Sequence, residues 1–326
     1  MSVTIIILIA LAIVFDFLNG VHDSSNIVAT MISSRAISPR MAMAITAIAE
    51  FSGPFIFGVA VANTIGNDIV DAQQLNMLVI IAALLSAIVW NILTWMLGIP
   101  SSSSHALIGG IIGSVVAGAG FQVIKVDGVI KVLISLFASP LIGFVAGMLV
   151  ANLIFLLSWK STPKVNGVFK KLQVVTSIGL ALSHGTNDAQ KTMGIITMGL
   201  VISGMIPTFQ VPTWVVVVCA ASIALGTSVG GWQLIRTLGS KFYRIRPVHG
   251  FASQITSAAV ILAASLMGGP VSTTQVVSTA IMGVGAAERF SKVRWGVAGE
   301  IAFAWLFTIP TTALLGAGLY YLIHLF

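Results

Sequence analysis

Charged residues are scarce in this chain. They make up 8% of its 326 residues, whereas a soluble domain carries about a quarter. Apolar residues account for 57%, and long apolar windows such as 75–99 recur along the whole length. A membrane-spanning helix needs about 20 such residues. The composition therefore excludes an ordinary soluble domain and predicts a polytopic membrane protein.

Cysteine and alternating apolar patterns are scarce too. Cys219 is the only cysteine, so an internal disulfide is excluded. The apolar runs are continuous rather than alternating with a period of two, which favours helices over a membrane barrel. The N-terminus has neither a basic region nor a cleavage site, so no cleavable signal is expected. The net charge of +7 indicates cytoplasmic loops rather than a nucleic-acid partner.

The continuous apolar runs predict ten hydrophobic segments and an all-α fold class. The first and the sixth are too long for one straight span, and each contains polar residues near its middle, where we expect the helix to break. The predicted segments are 3–34, 41–63, 75–98, 101–120, 130–158, 172–203, 213–235, 250–267, 271–287 and 295–324.

Basic loops set the predicted orientation, because Lys and Arg concentrate on the cytoplasmic side. Such loops follow the first, fifth, seventh and ninth segments, and only a weak loop near Lys125 disagrees. Placing them inside puts both termini outside in a multi-pass protein of the cytoplasmic membrane. Their residues are Arg35, Arg40, Lys160, Lys164, Lys170, Lys171, Arg236, Lys241, Arg244, Arg246, Arg289, Lys292 and Arg294.

The two halves of the chain share three short matches at nearly constant spacing. Because each half holds about five segments, an odd number, the second half is predicted to run inverted. The predicted parts are a first membrane repeat at 1–159, a short basic cytoplasmic linker at 160–171 and a second, inverted repeat at 172–326. The matches pair "GVHDSSN" (20–26) with "GTNDAQK" (185–191), "PSSSSHALIGGIIG" (100–113) with "PVSTTQVVSTAIMG" (270–283), and "FASP" (137–140) with "FTIP" (307–310).

The first matched pair places Asp23 and Asp188 inside apolar segments, where a carboxylate is costly unless it is paired or solvated. Gly20 and Gly185 allow the helices to unwind there. Freed carbonyls, amide oxygens and hydroxyls are hard ligands that suit a small cation. A cation site is therefore predicted at the two aspartates. The alternative is a kinked helix whose Asp bonds a neighbouring helix.

The second matched pair is rich in hydroxyls and follows a proline in each half, Pro100 and Pro270. Pro suits the first turn of a helix. A helix N-terminus carries unpaired N–H groups and a positive dipole end, which together bind oxyanions. Two such ends facing each other predict a site for a tetrahedral anion. The alternative is that these Ser and Thr residues cap helices and allow close packing.

Four further side chains leave alternatives open. Lys191 either pairs with an aspartate or touches the anion. Glu50, which has no counterpart in the second half, is a third cation or proton site, or else a carboxyl kept neutral by burial. His22 and His184 are interpreted as hydrogen-bonding spacers, and no metal site is expected beyond transported sodium.

Duplicated halves with polar centres are typical of a secondary transporter whose site lies at the repeat interface. Cations that accompany an anion neutralise it and supply about 2.3 kcal/mol per charge per 100 mV. A membrane enzyme is not expected, because the sequence offers neither a Cys–His pair nor a dense His/Asp cluster. An anion channel remains an alternative, although carboxylates on its path would repel the anion.

These motifs resemble the inorganic phosphate transporters of the PiT type, over nearly the whole chain. The resemblance implies a symporter that couples inorganic phosphate to sodium or protons, without cofactors, as a homodimer in membrane lipid; a sulfate permease is the alternative within the family. It places cations at Asp23, Asn26, Asn187 and Asp188. It places phosphate at Ser102, Ser103, Ser104, Ser272, Thr273, Thr274 and Gln190. Lys191 is a further candidate for phosphate, since one of its alternatives is contact with the anion.

Overall fold

The protein is built from helices. The computed structural model describes residues 2–99, 101–162, 164–230 and 245–325. Short 3-10 turns at 72–74, 121–123 and 290–292 lie in connections. The α-helices in the described ranges are α1 (Val3–Ser33), α2 (Pro39–Phe57), α3 (Ala60–Asn63), α4 (Met77–Leu97), α5 (Ser103–Ala119), α6 (Val126–Ser158), α7 (Val165–Ile202), α8 (Thr213–Val229), α9 (Pro247–Leu266), α10 (Thr273–Glu288) and α11 (Trp295–His324).

Each predicted hydrophobic segment has a helical counterpart, and the all-α fold class is confirmed. The second segment is divided, because α2 ends at Phe57, before Gly58, and the chain bends by 73° into α3, which continues as a π-helical turn at Thr64–Asp68. The end of the seventh segment, together with Pro100, Arg236, Lys241 and Arg244, lies outside the described residues.

Five of the described helices are long and apolar enough to cross a membrane, and six spans result if the bent α2–α3 pair counts as one. These five are α1, α4, α6, α9 and α11. The helix α7 is longer than any of them, but Ser, His, Asn, Asp, Gln and Lys interrupt its apolar sequence. All residues from 183 to 200 are buried by neighbouring helices, so this stretch of α7 does not need a lipid-facing surface.

The predicted breaks in the first and sixth segments are wrong, because α1 and α7 run through the aspartate motifs as continuous helices. The motif glycines serve close packing instead. A Cβ atom on Gly20 would lie 2.2 Å from the carbonyl oxygen of Ile223, and one on Gly185 would lie 2.2 Å from that of Glu50. The helices break elsewhere, between α4 and α5 and between α9 and α10.

The helices α1 and α7 cross in opposite directions. Contacts move down α1 as they move up α7: Asp23 faces His184, Asp16 accepts a hydrogen bond from Thr192, and Gly199 lies against Leu8. Residues 19–31 of α1 are all buried, like the middle of α7. The two helices that carry the aspartate motifs therefore form the antiparallel centre of the molecule.

The other helices pack in corresponding pairs from the two halves. The helix α1 packs on α8 and α7 packs on α2, while α5 packs on α11 and α10 packs on α6. Gly98 and Gly268, 170 positions apart, both end a helix with positive φ angles, 66° and 72°. The helix α7 begins at Val165, within the predicted linker, because hydropathy marks lipid contact rather than the first helical turn. The inverted relationship and the three-part division stay predictions.

Candidate functional site

The Asp23 carboxylate lies in a buried cluster of hydroxyl and amide groups. Its Oδ1 accepts hydrogen bonds from Thr274 Oγ1 at 2.7 Å and from Asn26 Nδ2 at 2.9 Å. Its Oδ2 faces the hydroxyls of Ser103 at 3.4 Å and of Thr273 at 3.5 Å. Asp23 is 1% exposed. Three helices, α1, α5 and α10, therefore meet at one carboxylate.

Asp188 lies on the other side of Thr273. The Thr273 hydroxyl is 2.9 Å from Asp188 Oδ2, so a single side chain separates the two repeated aspartates. The Lys191 ammonium contacts Asp188 Oδ1 and completes a buried ion pair. Both aspartates are enclosed by protein, and the interaction between them and the hydroxyls is correspondingly little screened by water.

Lys191 joins the two halves of the site. Besides Asp188, its ammonium donates to Ser104 Oγ at 2.5 Å and to the carbonyl oxygen of Val271 at 2.9 Å. Ser104 itself donates to that carbonyl at 3.0 Å. Both alternatives for Lys191 remain open, because it pairs with an aspartate and also lies within the predicted anion cluster.

His184 lies close to all three predicted acids. Its Nδ1 lies 2.8 Å from Glu50 Oε1, and its Nε2 lies 3.1 Å from Asp188 Oδ2 and 3.9 Å from Asp23 Oδ2. His184 and Glu50 are fully buried. Ligand atoms of Asp23, His184 and Asp188 all lie within 4.8 Å of one another. His184 therefore does more than space the motif, since it brings Glu50 into the same site as both aspartates.

The hydroxyl clusters begin two facing helices. Ser102 accepts a hydrogen bond from the N–H of His105 at 3.1 Å and caps α5, and Ser272 accepts one from the N–H of Gln275 at 3.3 Å and caps α10. His105 Nε2 lies 3.4 Å from Gln275 Nε2. The first residue of each predicted cluster is therefore a helix cap, and the next two face the aspartates and Lys191.

Two predicted residues have their side-chain atoms engaged elsewhere. Asn187 donates to Ser265 Oγ at 2.8 Å and accepts from the N–H of Val271 at 3.3 Å. Gln190 accepts from the N–H groups of Val61 at 2.7 Å and Ala62 at 3.2 Å, and its amide nitrogen contacts the carbonyl of Gly58. Asn187 thus supports the turn that carries Val271, and Gln190 caps α3. Ligand roles for these two stay predictions.

Comparison with known proteins decides the family. The sequence profile described as the phosphate transporter family matches residues 19–316. This chain belongs to the phosphate transporter family. It is 44% identical over 324 residues to a Bacillus subtilis (strain 168) protein, and 46% identical over 316 residues to a Rhizobium meliloti (strain 1021) protein. Each relative is described as a "probable low-affinity inorganic phosphate transporter". The first match covers 98% of this chain and 97% of the Bacillus protein, and the second covers 96% of this chain and 95% of the Rhizobium protein.

The fold of this phosphate transporter is also found in a solved structure. A structure described as the sodium-dependent phosphate transporter superimposes with a TM-score of 0.90 at 25% identity, over 99% of this chain and 100% of the other. The prediction of a multi-pass membrane transporter rather than an enzyme is confirmed by these relatives. Phosphate, rather than sulfate, is the anion for which the family is named.

Sequence reasoning missed one acid of this phosphate transporter. Asp16 is fully buried in α1 and accepts a hydrogen bond from Thr192 Oγ1 at 2.9 Å. It has no match in the second half, where position 181 is an alanine, so the comparison of repeats did not select it. The available signal was its spacing, since Asp16, Asn19, Asp23 and Asn26 recur every three or four residues and share a helix face.

The hydroxyl groups of the site donate their hydrogen bonds to carboxylates. A hydroxyl has one proton to donate. Those of Thr273 and Thr274 point at Asp188 and Asp23, and that of Ser103 points at Asp23. A phosphate needs the same donors. The hydroxyls that could donate to a phosphate therefore donate to the two aspartates instead.

Proposed function

We propose that this phosphate transporter is a symporter that carries inorganic phosphate together with sodium ions. The observation that carries the proposal is the set of hydroxyls shared between Asp23 and Asp188, above all that of Thr273. The family supplies the anion, and the sodium dependence of the structural relative favours sodium over the proton.

Coupling follows from competition for those hydroxyl protons. A sodium ion at Asp23 or Asp188 replaces the hydroxyl as the partner of the carboxylate. The hydroxyl then directs its proton to phosphate, while its oxygen lone pairs remain available to the sodium ion. Release of Asp188 from Lys191 frees an ammonium for the anion in the same way. Phosphate therefore binds well only when the cations are present.

Electrostatic repulsion also requires that the cations are present when phosphate binds. Without cations, phosphate would enter beside Asp23, Asp188 and Glu50, and like charges at close range repel strongly where water is excluded. Lys191 contacts Asp188 and offsets part of this negative charge. Added cations neutralise the remainder and draw energy from the membrane potential. The binding residues in this proposal are Asp23, Asn26, Asp188 and Glu50 for cations, and Ser103, Ser104, Thr273, Thr274 and Lys191 for phosphate.

The test is uptake of radiolabelled phosphate into proteoliposomes under imposed sodium or proton gradients. We expect an inward sodium gradient to drive accumulation, and Asp23→Asn and Asp188→Asn to abolish it. Asp68→Asn is the matched control, because Asp68 is a partly exposed acid paired with Lys131 at 3.6 Å, away from the site. All variants are first compared for membrane insertion and elution as a folded protein.

Three results would overturn the proposal. Full uptake by a correctly inserted Asp23→Asn or Asp188→Asn variant would remove these acids from coupling. Accumulation driven by a proton gradient alone would replace sodium by the proton. Uptake that ignores both gradients and only follows the phosphate concentration would favour an anion channel.

The architecture around the site is proposed on the same footing. We infer two inverted halves, 1–159 and 172–326, joined by a basic cytoplasmic connection, with both termini outside the cytoplasmic membrane. Antiparallel packing of α1 and α7 supports the inversion. An impermeant thiol reagent added to intact cells should label Ser2→Cys in a Cys219→Ala background, and failure of that labelling would contradict the orientation. The homodimer and its lipid contacts stay predictions, and cross-linking in native membranes tests the dimer.

A further inference from the structure

Asp16 is a buried acid that the site described above does not use. It is fully buried in α1, and Thr192 donates to its Oδ1 at 2.9 Å. Its Oδ2 has no hydrogen-bond partner among the described residues. A buried carboxylate oxygen without a partner is rare, because it loses its water and gains nothing in return. A cation beside this oxygen would supply the missing partner.

Asn19 adds a second, independent observation. It is 1% exposed, and neither its amide oxygen nor its amide nitrogen has a hydrogen-bond partner within the described ranges. Three residues along a helix is the spacing that places two side chains next to each other on one face. Asn19 thus lies one turn beyond Asp16 on α1, with an unused carbonyl oxygen.

The charge balance separates Asp16 from the other buried acids. His22 lies 3.3 Å from Asp23, Lys191 contacts Asp188, and His184 lies 2.8 Å from Glu50. In the part of the chain that the structure describes, no basic group lies within ion-pair distance of Asp16. Lys191 directly precedes Thr192 on α7, but its ammonium contacts Asp188, Ser104 and Val271.

We propose that Asp16, Asn19 and Thr192 form a further sodium site, about two helical turns from Asp23 along α1. The carboxylate supplies the charge, and the amide and hydroxyl oxygens supply hard ligands. Seven residues of helix separate the two acids by about 10 Å, so this site and the central one can be filled together. The inference rests on the sodium coupling proposed above and adds one cation to it.

The shared helix face gives the site its place in transport. Asp16, Asn19, Asp23 and Asn26 follow one another at alternating spacings of three and four residues, and each is buried. This row continues to Thr30, whose hydroxyl accepts from Gln254 Nε2 at 2.9 Å. A sodium ion at Asp16 therefore lies on the same buried polar row as the central site, and it neutralises the charge of the Asp16 carboxylate.

The test counts sodium ions on the purified transporter by equilibrium binding of radioactive sodium, and measures the charge moved per phosphate in proteoliposomes. For Asp16→Asn we expect one sodium fewer per chain, one positive charge fewer per phosphate, and a half-activating sodium concentration raised about tenfold or more. Thr197→Val is the matched control, because Thr197 is also buried on α7 and its hydroxyl has no partner among the described residues. It should leave all three quantities unchanged.

Two further variants protect the test against misfolding. Asn19→Leu and Thr192→Val retain the acid and remove one oxygen ligand each, so they should weaken sodium activation without changing the phosphate KM at saturating sodium. If the wild type is sodium-coupled and the folded Asp16→Asn protein keeps its sodium count and charge ratio, the inference is wrong. If only its pH dependence changes, the ligand is a proton and the sodium assignment is wrong. If the wild type shows no sodium dependence at all, the proposed function fails first.

Discussion

The imidazole of His184 holds the carboxylate of Glu50 at 2.8 Å and turns its other nitrogen toward Asp188 at 3.1 Å. Glu50 belongs to α2 and has no acidic counterpart in the second half. Gly185, next to His184, packs on the Glu50 backbone, whereas Gly20 packs on that of Ile223. The same packing position is therefore an acid in one half and an apolar residue in the other.

We expect Glu50→Gln to lower the initial rate of phosphate uptake at least about tenfold, because it weakens a close polar contact with the buried His184. The substitution keeps the shape of the side chain and removes the charge that His184 faces. His184→Gln should show a similar loss, and the double variant should be little worse than either single one, because the two residues act as a unit. Additive losses in initial-rate measurements would show that they act separately.

Ser103 and Ser102 should differ although they are neighbours. Ser103→Ala removes a hydroxyl that faces Asp23, and we expect the phosphate KM to rise about ten- to hundredfold, from a loss of about 1.5–3 kcal/mol. Ser102→Ala removes the cap of α5 and should cost about 1 kcal/mol of stability. Uptake kinetics and thermal melting in detergent separate the two effects. A Ser103→Ala change confined to sodium dependence would contradict its role toward the anion.

The motif glycines should be intolerant of even one methyl group. A Cβ atom on Gly185 would lie 2.2 Å from the carbonyl oxygen of Glu50, so Gly185→Ala must push α7 away from α2. We expect a loss of about 1–3 kcal/mol or more, as for other overpacked positions. Gly179→Ala on the same helix is the control, since nothing lies within 4 Å of its added Cβ, and it should melt at or above the wild-type temperature.

An ion-pair cluster joins the start of α9 to the end of α10. The Glu288 carboxylate contacts Arg246, Lys292 Nζ at 2.8 Å and His249 Nε2 at 3.0 Å. Partial burial raises the pKa of Glu288, but the Lys292 hydrogen bond and the neighbouring positive charges outweigh it and hold this pKa below the usual 4.5.

A lowered folded-state pKa means that the cluster stabilises the protein above pH 4.5 and that this contribution disappears as the pH falls through the folded pKa. Glu288→Gln should therefore lower the melting temperature at neutral pH, and the difference from the wild type should shrink in acid and in high salt. Melting curves at several pH values check this. A difference that stays constant down to acidic pH would contradict the role of the charge.

Hydropathy was sufficient for the positions of the helices, because lipid contact requires apolar residues over a fixed length. It did not give the path of α1 and α7 through the site. The sequence pairs Gly20 with polar residues, which is typical of an unwound helix, but the structure uses that glycine to seat Ile223. Local sequence does not distinguish these two uses, because the second depends on a neighbour from the other half.

The candidate site was predictable chiefly where the repeat preserved it, and Glu50, an acid in the middle of an apolar segment, was the exception. Matching of the halves selected Asp23, Asp188 and both hydroxyl clusters, which the structure brings together. The family resemblance also selected Gln190, whose amide instead caps α3, a short helix that appears only after the 73° bend. Asp16 was not predicted, because it occurs in one half alone and the comparison of the halves therefore did not select it.

The contact between His105 and Gln275 has a consequence for the direction of movement. These residues are 170 positions apart, occupy the same place in their helices and touch each other. In the proposed inverted arrangement, an exchange of roles between the halves would turn an identical pair into itself, and this contact would then contribute equally to both end states. With an imidazole on one side and an amide on the other, such an exchange would produce a different contact, so we infer that this pair contributes to a preference of the empty carrier for one orientation.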